Sequence, residues 1–229
     1  AIAVLALSSA FALAVRASYM TGPPGASTKR QVVTLFDVRI AWLVAAFFLL
    51  SAIAHLLVAG PLRLRYESSI AAMRNPYRWI EYSASSSLMI VMIALITGID
   101  DIAALIALIG VNASMIGFGW LQERYEQPGG SLLPFVLGCL AGIVPWLAIG
   151  VYLIGPGASA HAPGFVYAIF VSLFLLFNCF AIVQLLQYRK VGRFADYAVG
   201  ERTYLVLSVV AKSVLAWQVF AATLAPSGS

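Results

Sequence analysis

The chain has 229 residues, of which 62% are hydrophobic and 10% are charged, and its net charge is +5. A soluble domain carries about 25% charged residues, so this composition excludes an ordinary soluble protein and indicates an integral membrane protein. The basic residues lie between apolar segments, where membrane topology places them, so the positive charge does not indicate nucleic-acid binding. Cys139 and Cys179 lie inside apolar segments and are predicted to be small buried residues rather than a disulfide or a metal site.

The first apolar segment, A, covers residues 1–15 and is short for a membrane span. Fifteen helical residues rise about 22 Å, against a hydrocarbon core of about 30 Å. Segment A is either the apolar region of a signal peptide or the second half of a helix whose start is missing, and we favour the truncated helix. The next residues, 16–35, are predicted to form an external A–B loop, with a turn at Gly22, Pro23, Pro24 and Gly25 and a short strand over 31–36.

Six further apolar segments, B to G, are long enough to span a membrane and lack the alternation of barrel strands. We predict them over residues 36–59, 77–96, 102–121, 132–154, 165–188 and 204–224. Gly60 and Pro61 end segment B, and Pro76 is a favourable first-turn residue for segment C. The sequence therefore predicts an all-α fold: one seven-helix membrane domain over residues 1–229, with its first helix truncated.

Lysine and arginine are unevenly divided between the two ends of this bundle. The B–C, D–E and F–G loops with their flanks carry nine of them. At the opposite end of the bundle, the A–B connection carries four, and the C–D loop, the E–F loop and the C-terminal tail carry none. Positive residues favour the cytoplasmic side, so we predict a cytoplasmic N-terminus, an extracellular C-terminus and an extracellular A–B loop in a multi-pass protein of the cell membrane. The basic F–G loop either contacts a cytoplasmic partner or faces anionic lipid of the bilayer, and we favour the lipid.

Segment G carries a single charge, Lys212, close to its middle. A lysine at that depth costs about 2.5–3.5 kcal/mol, so it indicates a functional site, although snorkelling and a structural ion pair remain alternatives. Burial disfavours the charged amine, and a neutral amine can attack an aldehyde to form a Schiff base. A charged nitrogen there needs an anion, and Glu81, one turn into segment C, is the only acid expected below the headgroups.

Other polar and aromatic side chains at membrane depth are candidates to join this pair: Ser51, His55, Ser85, Ser208, Trp146 and Trp217. Ser208 lies four residues before Lys212 and Ser85 four after Glu81, which puts each serine on the face of its charged neighbour. His55 shares a face with Ser51 and is suited to accept or relay a proton. The two tryptophans are either packing residues or walls of a flat ligand site, whereas Trp79, near a segment end, is predicted to be an interface anchor.

Seven helices with one lysine in the middle of the last helix resemble the microbial-type retinal proteins. Within this group, the amino-acid sequence of several helices resembles the heliorhodopsin family. Seven short stretches carry this resemblance: RWIEYSASSS at 78–87, GVNASM at 110–115, GWLQE at 119–123, AGIVPW at 141–146, PGFVY at 163–167, VAKS at 210–213 and AWQ at 216–218. The inverted orientation predicted from the loop charges also matches that family.

The resemblance implies all-trans retinal bound to Lys212 as a protonated Schiff base, with Glu81 as the sole carboxylate counterion. It implies a polar pocket containing His55, with Ser51 and Ser208 near the Schiff base. It also implies that further residues line the retinal pocket: Tyr82, Ser86, Asn112, Met115, Phe177, Gln184 and Trp217. The family has another histidine in the first half of helix A, which this chain lacks, and it forms homodimers with an ordered external A–B loop.

The sequence also bears on whether the protein pumps ions. An outward proton pump needs a second acid farther along segment C, but Met92 lies three turns beyond Glu81 and no acid follows before Gly98. Together with the resemblance, this predicts a light sensor with a slow photocycle that is neither a pump nor an enzyme, and it leaves a cytoplasmic signalling partner open. Two alternatives stay open: a light-driven proton or ion transporter on the same scaffold, and a chromophore-free protein in which Lys212 and Glu81 form a structural ion pair.

Overall fold

The computed structural model describes residues 10–25, 28–126, 128–155 and 162–224. Within these residues six helices are long and apolar enough to cross a membrane. They are α1 (Ile40–Ala59), α3 (Pro76–Thr97), α4 (Ile102–Tyr125), α5 (Leu133–Ile154), α6 (Gly164–Tyr188) and α7 (Tyr197–Val219), and the short helix α2 (Arg63–Ala71) joins α1 to α3. A 3-10 turn, Gly192–Ala195, precedes α7, and a π-helical turn, Phe220–Leu224, follows it. The predicted helical membrane bundle is confirmed, with segments B to G as its spanning helices, but the helix predicted over residues 36–39 is wrong, because these residues lie in the strand Arg30–Arg39 that precedes α1.

Two helices extend further than hydropathy predicts. Helix α4 continues to Tyr125 instead of ending at residue 121, and α7 begins at Tyr197 instead of residue 204. Asp196 fixes the earlier start of α7, because its side chain accepts a hydrogen bond from the Ala198 N–H at 2.9 Å. These extra turns bring Glu123 and Glu201, which the sequence analysis left in loops, into helices.

An antiparallel hairpin precedes α1, with β1 at Ala12–Met20 and β2 at Arg30–Arg39. The strand predicted over 31–36 is confirmed, but the helix predicted to run through residue 15 is wrong for residues 12–15, which lie in β1. Residues 1–9 of segment A lie outside the described residues. A short apolar run does not distinguish a helix from a strand, and pairing with β2 decides it here. The hairpin adds a β element to the fold predicted as all-α.

The hairpin is attached to the turn between α3 and α4. The backbone N–H of Arg16 donates to the Asp100 carbonyl at 2.8 Å, and the Arg16 guanidinium lies 2.6 Å from the Asp100 carboxylate. Both side chains are partly exposed, so the ion pair contributes little to stability, about 0–1 kcal/mol. The contact instead fixes the position of the hairpin on the end of the bundle opposite α2. That this end is extracellular stays a prediction.

Helix α3 runs through the middle of the bundle and carries the largest share of the core. Ile90, Met92 and Ile93 are at most 1% exposed. Helix α3 packs against α1 and α4, and α7 packs against α6. The outer faces of the other helices expose large apolar side chains, as helices that face lipid require. This arrangement brings Glu81 on α3 and Lys212 on α7 to one site, 131 residues apart in sequence.

The two cysteines differ from the prediction that both are buried. Cys139 is exposed on α5 and Cys179 is half-buried on α6, and both are free thiols. Among the described residues, no group of histidine, cysteine, aspartate and glutamate side chains is arranged to hold a metal ion.

Candidate functional site

A buried ion pair between α3 and α7 lies at the centre of the site. The Lys212 Nζ donates to the Glu81 Oε1 at 2.8 Å and to the Ser208 Oγ at 2.8 Å. The same Glu81 oxygen accepts a hydrogen bond from the Ser51 hydroxyl of α1 at 2.5 Å. The Lys212 and Glu81 side chains are only 5% and 6% exposed. A buried charge pair of this kind persists because removing either partner leaves the other uncompensated, which costs about 3–5 kcal/mol.

Tyr82 and a group of serines border the ion pair. The Lys212 Nζ lies 5.6 Å from the centre of the Tyr82 ring, within the range of a cation–π interaction. The Tyr82 hydroxyl donates to the Tyr204 carbonyl at 2.9 Å, which connects α3 to α7 about two turns before Lys212. The Ser86 hydroxyl donates to the Tyr82 carbonyl at 2.6 Å, and Ser85 is buried beside it.

A cavity extends from Lys212 between α3, α4, α5, α6 and α7. Nine of the residues predicted for the site line it: Tyr82, Ser85, Ser86, Met115, Trp146, Phe177, Gln184, Ser208 and Lys212. Trp146 packs edge-on against Phe174 and Phe177, with ring centroids 5.4 Å apart in both pairs. The walls around Trp146 are therefore aromatic, and Ser208 contacts the amine at one end of the cavity.

Glycines shape the wall of the cavity that α4 and α5 form. A Cβ atom at Gly142 would lie 2.5 Å from the Met115 sulfur, so this position accepts no side chain while Met115 keeps its place. A flat apolar aldehyde fits a slot with aromatic walls, a glycine edge and one buried amine beside a carboxylate. The residues present thus fit retinal, which would be held by Lys212, with Glu81 beside its nitrogen.

Three residues predicted for the site lie elsewhere. Trp217 is 63% exposed, because it follows Lys212 by five residues and so points roughly 140° around α7 from it. His55 is exposed, and its Nδ1 lies 2.6 Å from the Ser51 carbonyl, so it reaches the ion pair only through Ser51. Asn112 is buried behind the cavity wall, where its amide donates to the Ser86 hydroxyl at 2.7 Å. The prediction of Trp217 as a pocket residue is wrong on this geometry.

A second buried charge cluster lies one turn before Glu81, and the sequence analysis missed it. The Arg78 guanidinium lies 2.8 Å from the Glu123 carboxylate and 2.5 Å from the Glu201 carboxylate. Trp79, predicted to be an interface anchor, is buried, and its indole N–H donates to Glu123 at 2.7 Å. Glu81 is therefore not the only buried acid. One feature of the sequence could have indicated this cluster: in GWLQE (119–123), a glutamate follows closely on the predicted apolar segment.

Gly119 on α4 allows Trp79 to reach this cluster. A Cβ atom at Gly119 would lie 2.6 Å from the Trp79 ring, which its hydrogen bond to Glu123 holds in place. We expect Gly119→Ala to destabilise the protein by about 1–3 kcal/mol through overpacking, measured as a lower melting temperature in detergent. Gly117→Ala is the matched control, since nothing lies within 4 Å of the added atom. Equal melting temperatures for the two variants would contradict this packing.

The fold and the site define a membrane protein of the microbial rhodopsin type, with a buried lysine at the end of an aromatic cavity. The chain belongs to the heliorhodopsin family, because the family model described as Heliorhodopsin matches residues 1–224. The family implies a retinal chromophore, so this is a retinal membrane protein. The predicted family is therefore confirmed.

A solved structure shows the same fold at low sequence identity. It is the crystal structure of a light-driven proton pump from Leptosphaeria maculans, with a TM-score of 0.50 and 16% identity over 92% of this chain and 70% of that chain. At this identity the likeness shows the fold alone. A comparison with curated protein sequences finds no significant match to the chain.

Proposed function

We propose that the protein is a light sensor in which Lys212 carries all-trans retinal as a protonated Schiff base and Glu81 is the counterion. The observation that carries this proposal is the Lys212–Glu81 pair at 2.8 Å, buried at the end of an aromatic cavity. Retinal, when bound, supplies the absorption of visible light and a photoisomerisation. An absorption spectrum of the protein expressed with all-trans retinal tests the proposal. We expect a visible band, and its absence would favour a structural ion pair without a chromophore.

The protein's own residues have distinct tasks in this proposal. Glu81 compensates the positive charge on the Lys212 nitrogen, and the hydroxyls of Ser51 and Ser208 fix the carboxylate and the nitrogen relative to each other. Tyr82 and the aromatic wall around Trp146 exclude water and restrict the shape of the ligand. Because Tyr82 also bonds the α7 backbone, a change in the cavity would move α3 against α7, a two-state helix shift of the kind that sensors use.

A sensor is favoured over a pump by the apolar stretch of α3 beyond Glu81. From Met89 to Leu95, every buried side chain of α3 is apolar, which leaves no titratable group there to pass a proton on. We therefore expect illuminated cells or vesicles containing the protein to show no pH change that a protonophore abolishes. A light-driven proton pump in the same preparation is the positive control. A sustained, protonophore-sensitive signal would favour the transporter alternative instead.

The predictions about assembly belong to the same proposal. A homodimer with the hairpin at its external side, an unidentified cytoplasmic partner and contacts of the basic loops with anionic lipid stay predictions. In the part of the chain that the structure describes, Ser51 and His55 form the one predicted polar link that leads from Glu81 along α1, toward the end of α1 that joins α2. We propose that this link modulates the counterion and does not carry a proton across the membrane.

A further inference from the structure

The buried cluster around Arg78 contains more negative than positive charge. One guanidinium faces two carboxylates, Glu123 at 2.8 Å and Glu201 at 2.5 Å, and the three side chains are 6%, 5% and 11% exposed. No other ion pair among the described residues includes either carboxylate. With both acids ionised, the cluster would hold one uncompensated negative charge in a buried site, an arrangement that is expensive at membrane depth.

Hydrogen bonding distinguishes the two carboxylates. Glu123 accepts four donors, two on each oxygen: Arg78 Nη2 and the Tyr197 hydroxyl on Oε1, and the Asn75 N–H and the Trp79 indole on Oε2. An ionised carboxylate satisfies all four donors, whereas a protonated one keeps them only if the Tyr197 hydroxyl turns to accept, because the N–H groups of Arg78, Asn75 and Trp79 cannot. The surroundings of Glu123 therefore favour a bare carboxylate more strongly than those of Glu201 do.

Glu201 accepts one close donor on each oxygen, Arg78 Nη1 at 2.5 Å and the Asn75 amide at 2.6 Å, and it also interacts with the Tyr197 hydroxyl that bonds Glu123. This hydroxyl can turn to accept, so a proton can bind to Glu201 without displacing the Arg78 or Asn75 donor. The other titratable side chains that face the cluster are phenols: Tyr66 on α2, Tyr82 on α3, Tyr188 on α6, and Tyr197 and Tyr204 on α7. A phenol carries no positive charge, so none of these five compensates the excess negative charge.

We propose that the Arg78–Glu123–Glu201 cluster is a second proton-binding site, in which Glu201 holds one exchangeable proton. Two further polar atoms indicate that this site opens toward the cavity. The Arg78 Nε and the Tyr204 hydroxyl are buried without a partner among the described residues, and both side chains line the cavity that Lys212 lines. The Tyr204 ring also lies 4.0 Å below the Arg78 guanidinium. The cluster thus borders the cavity on one side and α2 on the other.

This site couples pH to the position of α7. When the Glu201 O–H bond breaks, the electron pair stays on the carboxylate and the proton passes to water. The cluster then carries a net charge of −1 in a buried site, and the cost of this buried charge weakens the attachment of the first turns of α7 to α3 and α4. Lys212 lies 11 residues farther along the same helix, about 16 Å away, so movement at Glu201 reaches the chromophore site through a rigid element.

Infrared spectroscopy of the purified protein in the dark tests this proposal without any use of the chromophore. A protonated carboxylic acid has a carbonyl stretch that a carboxylate lacks, and this stretch shifts in D2O. We expect the band in the wild type and in Glu81→Gln and its loss in Glu201→Gln. Absence of the band from the wild type, or its persistence in Glu201→Gln, would overturn the assignment. The proposed retinal function could fail without affecting either outcome.

Melting temperatures provide an independent readout. Glutamine resembles a protonated glutamate, so Glu201→Gln should melt close to the wild type at neutral pH. We expect the melting temperature of the wild type to fall as pH rises, and this fall should be absent from Glu201→Gln. Glu123→Gln should melt several degrees lower at every pH, because an amide cannot accept all four donors. If Glu201→Gln melts as low as Glu123→Gln, both acids are ionised and the proposal is wrong.

Discussion

Lys212→Ala is expected to remove the visible absorption band completely. The chain has three lysines, and Lys29 and Lys190 are exposed outside the spanning helices, whereas Lys212 is 4% exposed at the cavity. A Schiff base requires a primary amine within reach of the aldehyde, and the described residues offer no second amine there. The measurement is the absorption spectrum of purified protein expressed with retinal. Lys190→Ala is the matched control and should keep the band.

Loss of the band in Lys212→Ala must be separated from loss of the fold. Removing the amine leaves Glu81 buried without its partner, which alone costs about 3–5 kcal/mol. The double variant Lys212→Ala, Glu81→Gln removes both charges and should recover most of that stability while the band stays absent. A visible band in either variant that carries Lys212→Ala would contradict the assignment of Lys212 and would identify another attachment site.

Glu81→Gln is expected to convert the visible band into a near-ultraviolet band at neutral pH. Glu81 is the one described acid that contacts the Lys212 nitrogen, and an uncompensated buried cation costs about 3–5 kcal/mol. At 1.4 kcal/mol for each tenfold change, this shifts the equilibrium from the protonated toward the neutral nitrogen by roughly 10²- to 4 × 10³-fold. A neutral nitrogen absorbs at shorter wavelength because the positive charge no longer delocalises along the chromophore. Absorption spectra over a pH series measure the change.

Two variants show whether this effect depends on the carboxylate itself. Glu81→Asp keeps the charge and should retain a visible band, with a shifted maximum. Ser51→Ala removes one donor to Glu81 and leaves the ion pair, so its effect should be much smaller than that of Glu81→Gln. If Glu81→Gln keeps the wild-type spectrum at neutral pH without added anions, Glu81 is not the counterion.

Most of the bundle was predictable from the sequence. Long apolar segments are expensive to expose to water, so segments B to G defined six spanning helices before any contact was known. Lys212 and Glu81 were predicted to form a pair because each is costly alone at membrane depth, and the structure brings their side chains to 2.8 Å. The family follows from short stretches of sequence and is confirmed over residues 1–224.

Hydropathy failed where buried polar residues extend a helix. Glu123 and Glu201 were assigned to loops because each carries a charge next to an apolar segment, yet both lie in helices and meet at Arg78. Their partners are 45 and 123 residues away in sequence, so no local window contains the information. A hydropathy profile measures the transfer of each residue to lipid and does not include the ion pair that offsets this transfer.

The sequence by itself determined the membrane class, the spanning segments and the lysine–carboxylate pair, because these follow from the cost of placing each residue in lipid. Only the tertiary structure decided which side chains face the cavity. Trp217 and Trp146 look alike in sequence, but α7 turns Trp217 outward whereas α5 turns Trp146 onto Phe174 and Phe177. The β1 strand and the Arg78 cluster likewise depend on partners from distant parts of the chain. The rotation of a helix and the pairing of distant groups are set by packing between elements, which no single segment encodes.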